Sequence, residues 1–235
     1  MQTNAQTIVG RTGSENRVLL PQLSPDSIPL FIRQSPLMKE GGFQIFEGLI
    51  DERIRKEMLS EAVSMLPFAN ACEVKVADGE EVRGGKPRRS FINGQGGSVQ
   101  QAFCVAPWLL DFLRSLTNCT VTPTGAVGTY SYYIRPGDYL DIHRDIVDCD
   151  VAVISCLSEG PKDDGEGGRL CLYPERIFEV LSSIRATPQN GAVKVRLDPG
   201  QTIVLYGGIV PHALLKVAEG QARVVSVLCY RARPR

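Results

Sequence analysis

From Phe43 to Pro67 the chain reads FQIFEGLIDERIRKEMLSEAVSMLP. A short apolar run is followed by Ile54, Met58, Ala62 and Leu66, which recur every fourth residue among charged neighbours. That spacing predicts a strand and then a helix with one apolar face, opened by Asp51 as N-cap and stopped at Pro67. A second helix is predicted after Pro107, with Leu109, Phe112, Leu113 and Leu116 on one face and Trp108 in its core. A third is predicted from Pro174, with Ile177, Phe178, Leu181 and Ile184 as its stripe.

Past residue 125 the pattern changes to short runs rich in β-branched and aromatic residues. GAVGTYSYYI, CDVAVISCL, GRLCLYP, AVKVRL, QTIVLYG and ARVVSVLCY are mostly bounded by Gly, Pro, Asn or Asp and read as strands. Several are apolar at both parities, which predicts cover on both faces. Helices first and a β-rich core after them indicate an α+β fold, a sandwich or jelly roll with helices packed on one sheet. Residues 1–40 carry Pro21, Pro25, Pro29 and Pro36 with little periodicity and are expected to form an irregular N-terminal arm. Residues 41–235 are expected to form a single domain.

Composition narrows the partners. With 26 basic and 26 acidic residues the formal charge is zero, which supplies no overall attraction to nucleic acid or to an anionic membrane. No apolar run approaches a membrane span, and the N-terminus lacks a basic start followed by an apolar core, so a cytoplasmic location is expected. The seven cysteines are odd in number, lack CxxC spacing and lie in apolar segments. They are expected to be reduced, packed thiols. One local basic stretch, Arg83 to Ser90, is either a solvated loop or one that meets an anionic substrate group. The acidic stretch from Ser158 to Gly168 would then be an opposite rim.

Histidine is nearly avoided: the chain has two. His143 stands two residues before Asp145, and alternate residues of an extended segment share a face, so one imidazole and one carboxylate could reach a single ion. Such a pair alone is as readily a salt bridge. His212, in the turn after QTIVLYGG, could complete a set of two imidazoles and one carboxylate, the facial donor set of non-haem Fe(II). The same ligands would also suit a catalytic zinc. Arg223 brings a fixed cation into a β-rich core, where it needs an anionic partner: a carboxylate ligand, or an acidic residue in a structural ion pair.

The order His143-x-Asp145, His212, Arg223 resembles the Fe(II)/2-oxoglutarate-dependent dioxygenases, and within them the prolyl-4-hydroxylase-like branch. YIRPGDYLDIHRD, GEGGRLCLYPE and RLDPGQTIVLYGGIVPHAL resemble that branch's lead into the His-x-Asp, its Gly-Gly strand and its approach to the distal histidine. The resemblance runs from about Gly125 to Arg231. It implies a double-stranded β-helix core, Fe(II) held by His143, Asp145 and His212, and 2-oxoglutarate gripped at its far carboxylate by Arg223. Tyr133, otherwise a core aromatic, stands where relatives hydrogen-bond the cosubstrate. Arg89 lies in a segment that borders the substrate pocket in relatives. One departure concerns the second carboxylate donor: many relatives have Ser or Thr where this chain has Val225, and Ser226 should face away, as should Arg144 between the two ligands.

The reaction so implied consumes O2 and 2-oxoglutarate, releases succinate and CO2, and hydroxylates an unactivated C–H bond, with ascorbate as a possible reductant. A small molecule, either an amino acid or a natural-product intermediate, is the expected substrate. A peptidyl hydroxylase is the alternative, and neutral charge counts against a nucleic-acid demethylase. From other classes, a non-catalytic metal-binding β-sandwich would not need Arg223, and a zinc hydrolase would need a general base that the sequence does not offer.

Overall fold

The computed structural model describes residues 24–77, 83–125, 128–161 and 165–235. Twelve strands follow one another as β1 (Phe43–Phe46), β2 (Asn70–Val74), β3 (Arg89–Gln95), β4 (Thr120–Pro123), β5 (Thr129–Tyr133), β6 (Tyr139–His143), β7 (Val151–Glu159), β8 (Leu170–Leu172), β9 (Val193–Val195), β10 (Thr202–Leu205), β11 (His212–Leu214) and β12 (Arg223–Arg233). All pairings are antiparallel, in the order β1-β10-β7-β12-β5-β3-β6-β11-β8-β9, with β2 on β3 and β4 on β12. β3 links the two halves. Its Ile92–Gln95 part pairs with β5, and Arg89 and Ser90 pair with β6. The result is the curled α+β jelly roll expected for a double-stranded β-helix.

Side-chain parity sorts the chain into two cores. Tyr130, Tyr132, Val151, Val153, Leu228 and Tyr230 point outward from the larger wall. There they pack with Met58 and Ala62 of α3 (Glu52–Met65) and Leu109 and Leu113 of α5 (Pro107–Thr117). On the same strands Tyr133, Ala152, Cys156 and Val225 point inward. Strands apolar at both parities are thus covered on both faces. Asp51 caps α3 through its carboxylate on the Ile54 N–H at 2.7 Å.

Residues 24–40 are not irregular. Pro25–Ser27 form a 3-10 turn, and Leu30–Arg33 and Pro36–Lys39 form the short helices α1 and α2. Ile28, Ile32 and Leu37 bury themselves in the outer core, and that apolar demand organises the segment despite its prolines. Residues 1–23 lie outside the described residues. Trp108 also departs from expectation. It stays 47% exposed, with only its ring edge against Phe103, which ends α4 (Ser98–Cys104) with Cys104.

The helix predicted from Pro174 is broken in two. Pro174–Arg176 is a 3-10 turn, and the helix α6 begins only at Leu181 and ends at Ala186. Between them the Arg144 guanidinium takes the carbonyls of Ile177 and Glu179, both at 2.9 Å, and holds the chain open. Leu181 and Ile184 still bury, against Ile142, Tyr173 and Ala213 on the smaller wall.

Two cysteines are not free thiols. Cys149 and Cys229 form a disulfide, while Cys72, Cys104, Cys119, Cys156 and Cys171 are unbonded. The pair is 80 residues apart in sequence and invisible to spacing rules. The Asp150 N–H donates to the Tyr230 carbonyl at 2.9 Å, which brings the loop after Asp145 against β12. No helix among the described residues is long and apolar enough to cross a membrane.

Candidate active site

His143 ends β6 and His212 opens β11, and the antiparallel pairing sets them opposite one another with ring centroids 4.3 Å apart. Asp145 lies just past the end of β6. Its Oδ1 is 3.5 Å from His143 Nε2 and 3.6 Å from His212 Nε2. Each Nδ1 sits 2.9 Å from a backbone carbonyl, that of Asp141 for His143 and that of Val210 for His212. A carbonyl only accepts, so Nδ1 carries the proton and Nε2 turns its lone pair toward Asp145. One ligand atom from each residue lies within 4.8 Å of the others. Two imidazole nitrogens and a carboxylate oxygen approaching from one side are the donor set of a facial Fe(II) site.

The electrostatics follow from this crowding. Burial and the neighbouring His212 push His143 below the ordinary imidazole range. Burial alone would lower His212 as well, but the Asp145 carboxylate outweighs it and raises it. Burial alone would raise the Asp145 carboxyl, and the two imidazoles outweigh that and hold it well below the carboxylate range.

Three devices fix the carboxylate. The Asp145 N–H donates to the Gly207 carbonyl at 2.8 Å, and a Cβ at Gly207 would occupy the space of the Asp145 carboxylate. Arg83 donates to the carbonyls of Asp145, Ile146 and Cys149 and pairs with Asp150 at 2.8 Å. Arg144, buried and turned away from the cluster, donates through Nε to the Ile209 carbonyl at 3.0 Å. It thereby ties the segment between His143 and Asp145 to the turn that precedes His212. Burial lowers its guanidinium to about 10, still charged at neutral pH.

Opposite this cluster, alternate residues of three strands face one cavity of about 300 Å³: Arg89, Phe91 and Asn93 of β3; Thr129, Ser131 and Tyr133 of β5; Arg223, Val225, Val227 and Cys229 of β12. Arg223 stands in register between Tyr133 and Glu159. Its Nη1 reaches Glu159 at 3.4 Å and the Gly168 carbonyl at 3.1 Å, and its Nε is buried with no partner among the described residues. Five buried tyrosines, Tyr130, Tyr132, Tyr173, Tyr206 and Tyr230, donate their hydroxyls to the protein. The sixth, Tyr133, has no hydroxyl partner among the described residues and faces the cavity. Burial raises its pKa, with Arg223 opposing. An orphaned guanidinium nitrogen beside an unpartnered phenol is a fit for an oxygen-rich anion such as the far carboxylate of 2-oxoglutarate.

Val225 lines the cavity and offers no hydroxyl there. Ser226 faces away and accepts from Gln100 at 2.7 Å. Ser131, directly across from Val225, puts a hydroxyl into the cavity, with its Oγ 3.3 Å from Asn93 Oδ1. Its clue in the sequence is parity alone: it shares a face with Tyr133, two residues on. The basic stretch divides: the Arg83 side chain is buried and taken by Asp150 and three carbonyls, while Gly84, Gly85, Pro87 and Arg89 line the cavity. In the acidic stretch Glu159 turns inward to Arg223 and Glu166 pairs with Lys194, while residues 162–164 lie outside the described residues.

No family model and no curated protein sequence matches the chain. Solved structures do. A prolyl-4-hydroxylase from Pseudomonas putida aligns over 84% of this chain and 96% of its own, with a TM-score of 0.57 at 14% identity. The non-haem α-ketoglutarate-dependent carbocyclase SnoK of nogalamycin biosynthesis aligns over 85% and 84%, with a TM-score of 0.63 at 11% identity. The chain has the fold of the 2-oxoglutarate-dependent oxygenases. HygX from Streptomyces hygroscopicus, solved with nickel and 2-oxoglutarate bound, aligns over 85% and 86%, with a TM-score of 0.60 at 13% identity. Proteins of this fold thus include a prolyl-4-hydroxylase and a carbocyclase of nogalamycin biosynthesis, and the fold itself does not select between such activities.

Proposed function

We propose that this protein is an Fe(II)- and 2-oxoglutarate-dependent dioxygenase that hydroxylates an unactivated C–H bond of a small molecule, an amino acid or a natural-product intermediate. One observation carries the reading. The two Nε2 lone pairs and the Asp145 carboxylate converge on the same cavity as the orphaned Arg223 Nε and the unpartnered Tyr133 hydroxyl.

His143, Asp145 and His212 would hold Fe(II), and Arg223 with Tyr133 would hold 2-oxoglutarate. When bound, this pair supplies the oxidation of a C–H bond by O2, coupled to release of succinate and CO2. The chain's own contribution is position and polarity. The Asp141 and Val210 carbonyls fix the tautomer of each imidazole. Glu159 steadies Arg223 at the cavity wall. Phe91, Leu140, Ile154, Val225 and Val227 keep the space apolar and exclude water from the reacting carbon. A cavity of about 300 Å³ is at the small end for ligand sites and favours a small molecule over a peptide.

Anaerobic addition of Fe(II) and 2-oxoglutarate tests the reading. A visible metal-to-ligand charge-transfer band is expected in the wild type and its loss in His212→Ala. If neither the band nor succinate formation under oxygen is observed, the dioxygenase assignment fails.

A further inference from the structure

Arg89 is the cation that the proposed chemistry leaves unmatched. It opens β3 directly opposite Leu140 of β6 and faces the catalytic cavity. Its Nε is buried, and its guanidinium makes no hydrogen bond or ion pair among the described residues. Its neighbours are committed elsewhere: Arg88 pairs with Asp141, and Asp138 takes Arg135 together with the Ser90 hydroxyl. A guanidinium held at the wall of an apolar cavity without an anion is costly unless a ligand supplies one.

Arg89 carries one positive charge, and nothing among the described residues matches it at the cavity wall. We propose that the substrate is a monoanion with an apolar body, and that Arg89 receives its carboxylate in a bidentate pair while Phe91 and Leu140 flank the apolar part. This rests on the dioxygenase reading. It extends that reading by making Arg89 the residue that selects the substrate's charge. A planar fork suits a carboxylate better than a point charge does.

The test is equilibrium binding to the Fe(II)- and 2-oxoglutarate-loaded protein without oxygen, followed by calorimetry and by perturbation of the charge-transfer band. The probes are matched acid and carboxamide pairs: butyrate, hexanoate, decanoate, phenylacetate and N-acetyl-L-leucine, each against its amide. At least one acid is expected to bind about tenfold or more tighter than its amide, as for a desolvated charge pair. Arg89→Gln should abolish that preference while leaving 2-oxoglutarate affinity within about twofold, and Arg89→Lys should restore part of it. Equal binding of acids and amides across the panel overturns the proposal. So does an Arg89→Gln or Arg89→Lys variant that loses 2-oxoglutarate as severely as Arg223→Gln, since Arg89 would then belong to the cosubstrate. Absence of the band while acids still bind calorimetrically through Arg89 sinks the dioxygenase reading and leaves the carboxylate site standing.

Discussion

Gly207 leaves the space that the Asp145 carboxylate fills. The backbone carbonyl of Gly207 receives the Asp145 N–H at 2.8 Å, and a side chain of any size at 207 would collide with the carboxylate itself. The Gly-Gly pair before His212 therefore makes room for the carboxylate of the His143-Asp145-His212 cluster. Gly208 plays the parallel part for Arg83, whose guanidinium lies where its Cβ would be.

Gly207→Ala is accordingly expected to push Asp145 out of line with the imidazoles and to lower metal affinity by about tenfold or more, as loss of a ligand's support does elsewhere. The backbone at this position needs no positive φ, so the fold should survive. Equilibrium titration with Fe(II) or Ni(II), alongside far-UV circular dichroism, checks this. Wild-type affinity in the variant would show that Asp145 is not held by this contact.

Tyr133 offers a contrast with Tyr230. Both are buried, but the Tyr230 hydroxyl donates to the Cys104 carbonyl at 2.9 Å and that of Tyr133 has no partner among the described residues. Removing a satisfied buried hydroxyl costs about 1 kcal/mol or more, whereas removing an unsatisfied one is nearly neutral. Tyr230→Phe should thus be destabilised in urea and Tyr133→Phe should not, while Tyr133→Phe should bind 2-oxoglutarate about fivefold more weakly. A Tyr133→Phe protein that loses stability and keeps its 2-oxoglutarate affinity would assign the residue to the core.

What the sequence disclosed and withheld divides along physical lines. Alternation and apolar runs mark β5, β7, β10 and β12, because those strands bury both faces and the pattern is dense. The rarity of histidine marks His143 and His212. β2, β6 and β11 are short or polar, and their pairing depends on partners far along the chain. Arg83 reads as a surface charge because its four acceptors lie 62 to 67 residues away and three of them are backbone carbonyls. The break before α6 is likewise made by a distant side chain, Arg144, and no local propensity records it.

Glu61 supplies a pH-dependent element outside the cavity. Its carboxylate accepts from the N–H groups of Gly97, Val99 and Gln100 at 3.2, 2.7 and 3.1 Å, and from the Tyr130 hydroxyl at 2.6 Å. Burial alone would raise its pKa, and these four donors outweigh burial and lower it. A depressed folded-state value means that the stabilisation is complete above the unfolded pKa, about 4.3, and fades as pH falls through it toward the folded value. Glu61→Ala should cost about 1–2 kcal/mol near pH 7, as loss of a charged helix cap does. Urea titrations should find the gap between wild type and variant narrowing below about pH 4. A gap that is constant from neutral to acid pH would remove the ionised carboxylate from the explanation.

The Cys149–Cys229 bond joins the loop after Asp145 to β12 and closes a span of 80 residues. In the chain-entropy account a loop of that size is worth about 4 kcal/mol, chiefly by restricting the unfolded chain. Arg83 still grips the loop at Asp145, Ile146, Cys149 and Asp150 when the bond is opened. Reduction by a dithiol, or the double change Cys149→Ser with Cys229→Ser, should therefore lower the urea midpoint markedly and alter Fe(II) affinity little. Thiol titration of the denatured protein should count five before reduction, the free cysteines, and seven after it. Seven thiols without reductant would mean that the two sulfurs are adjacent but unbonded in solution, and the stability difference should then vanish with the bond.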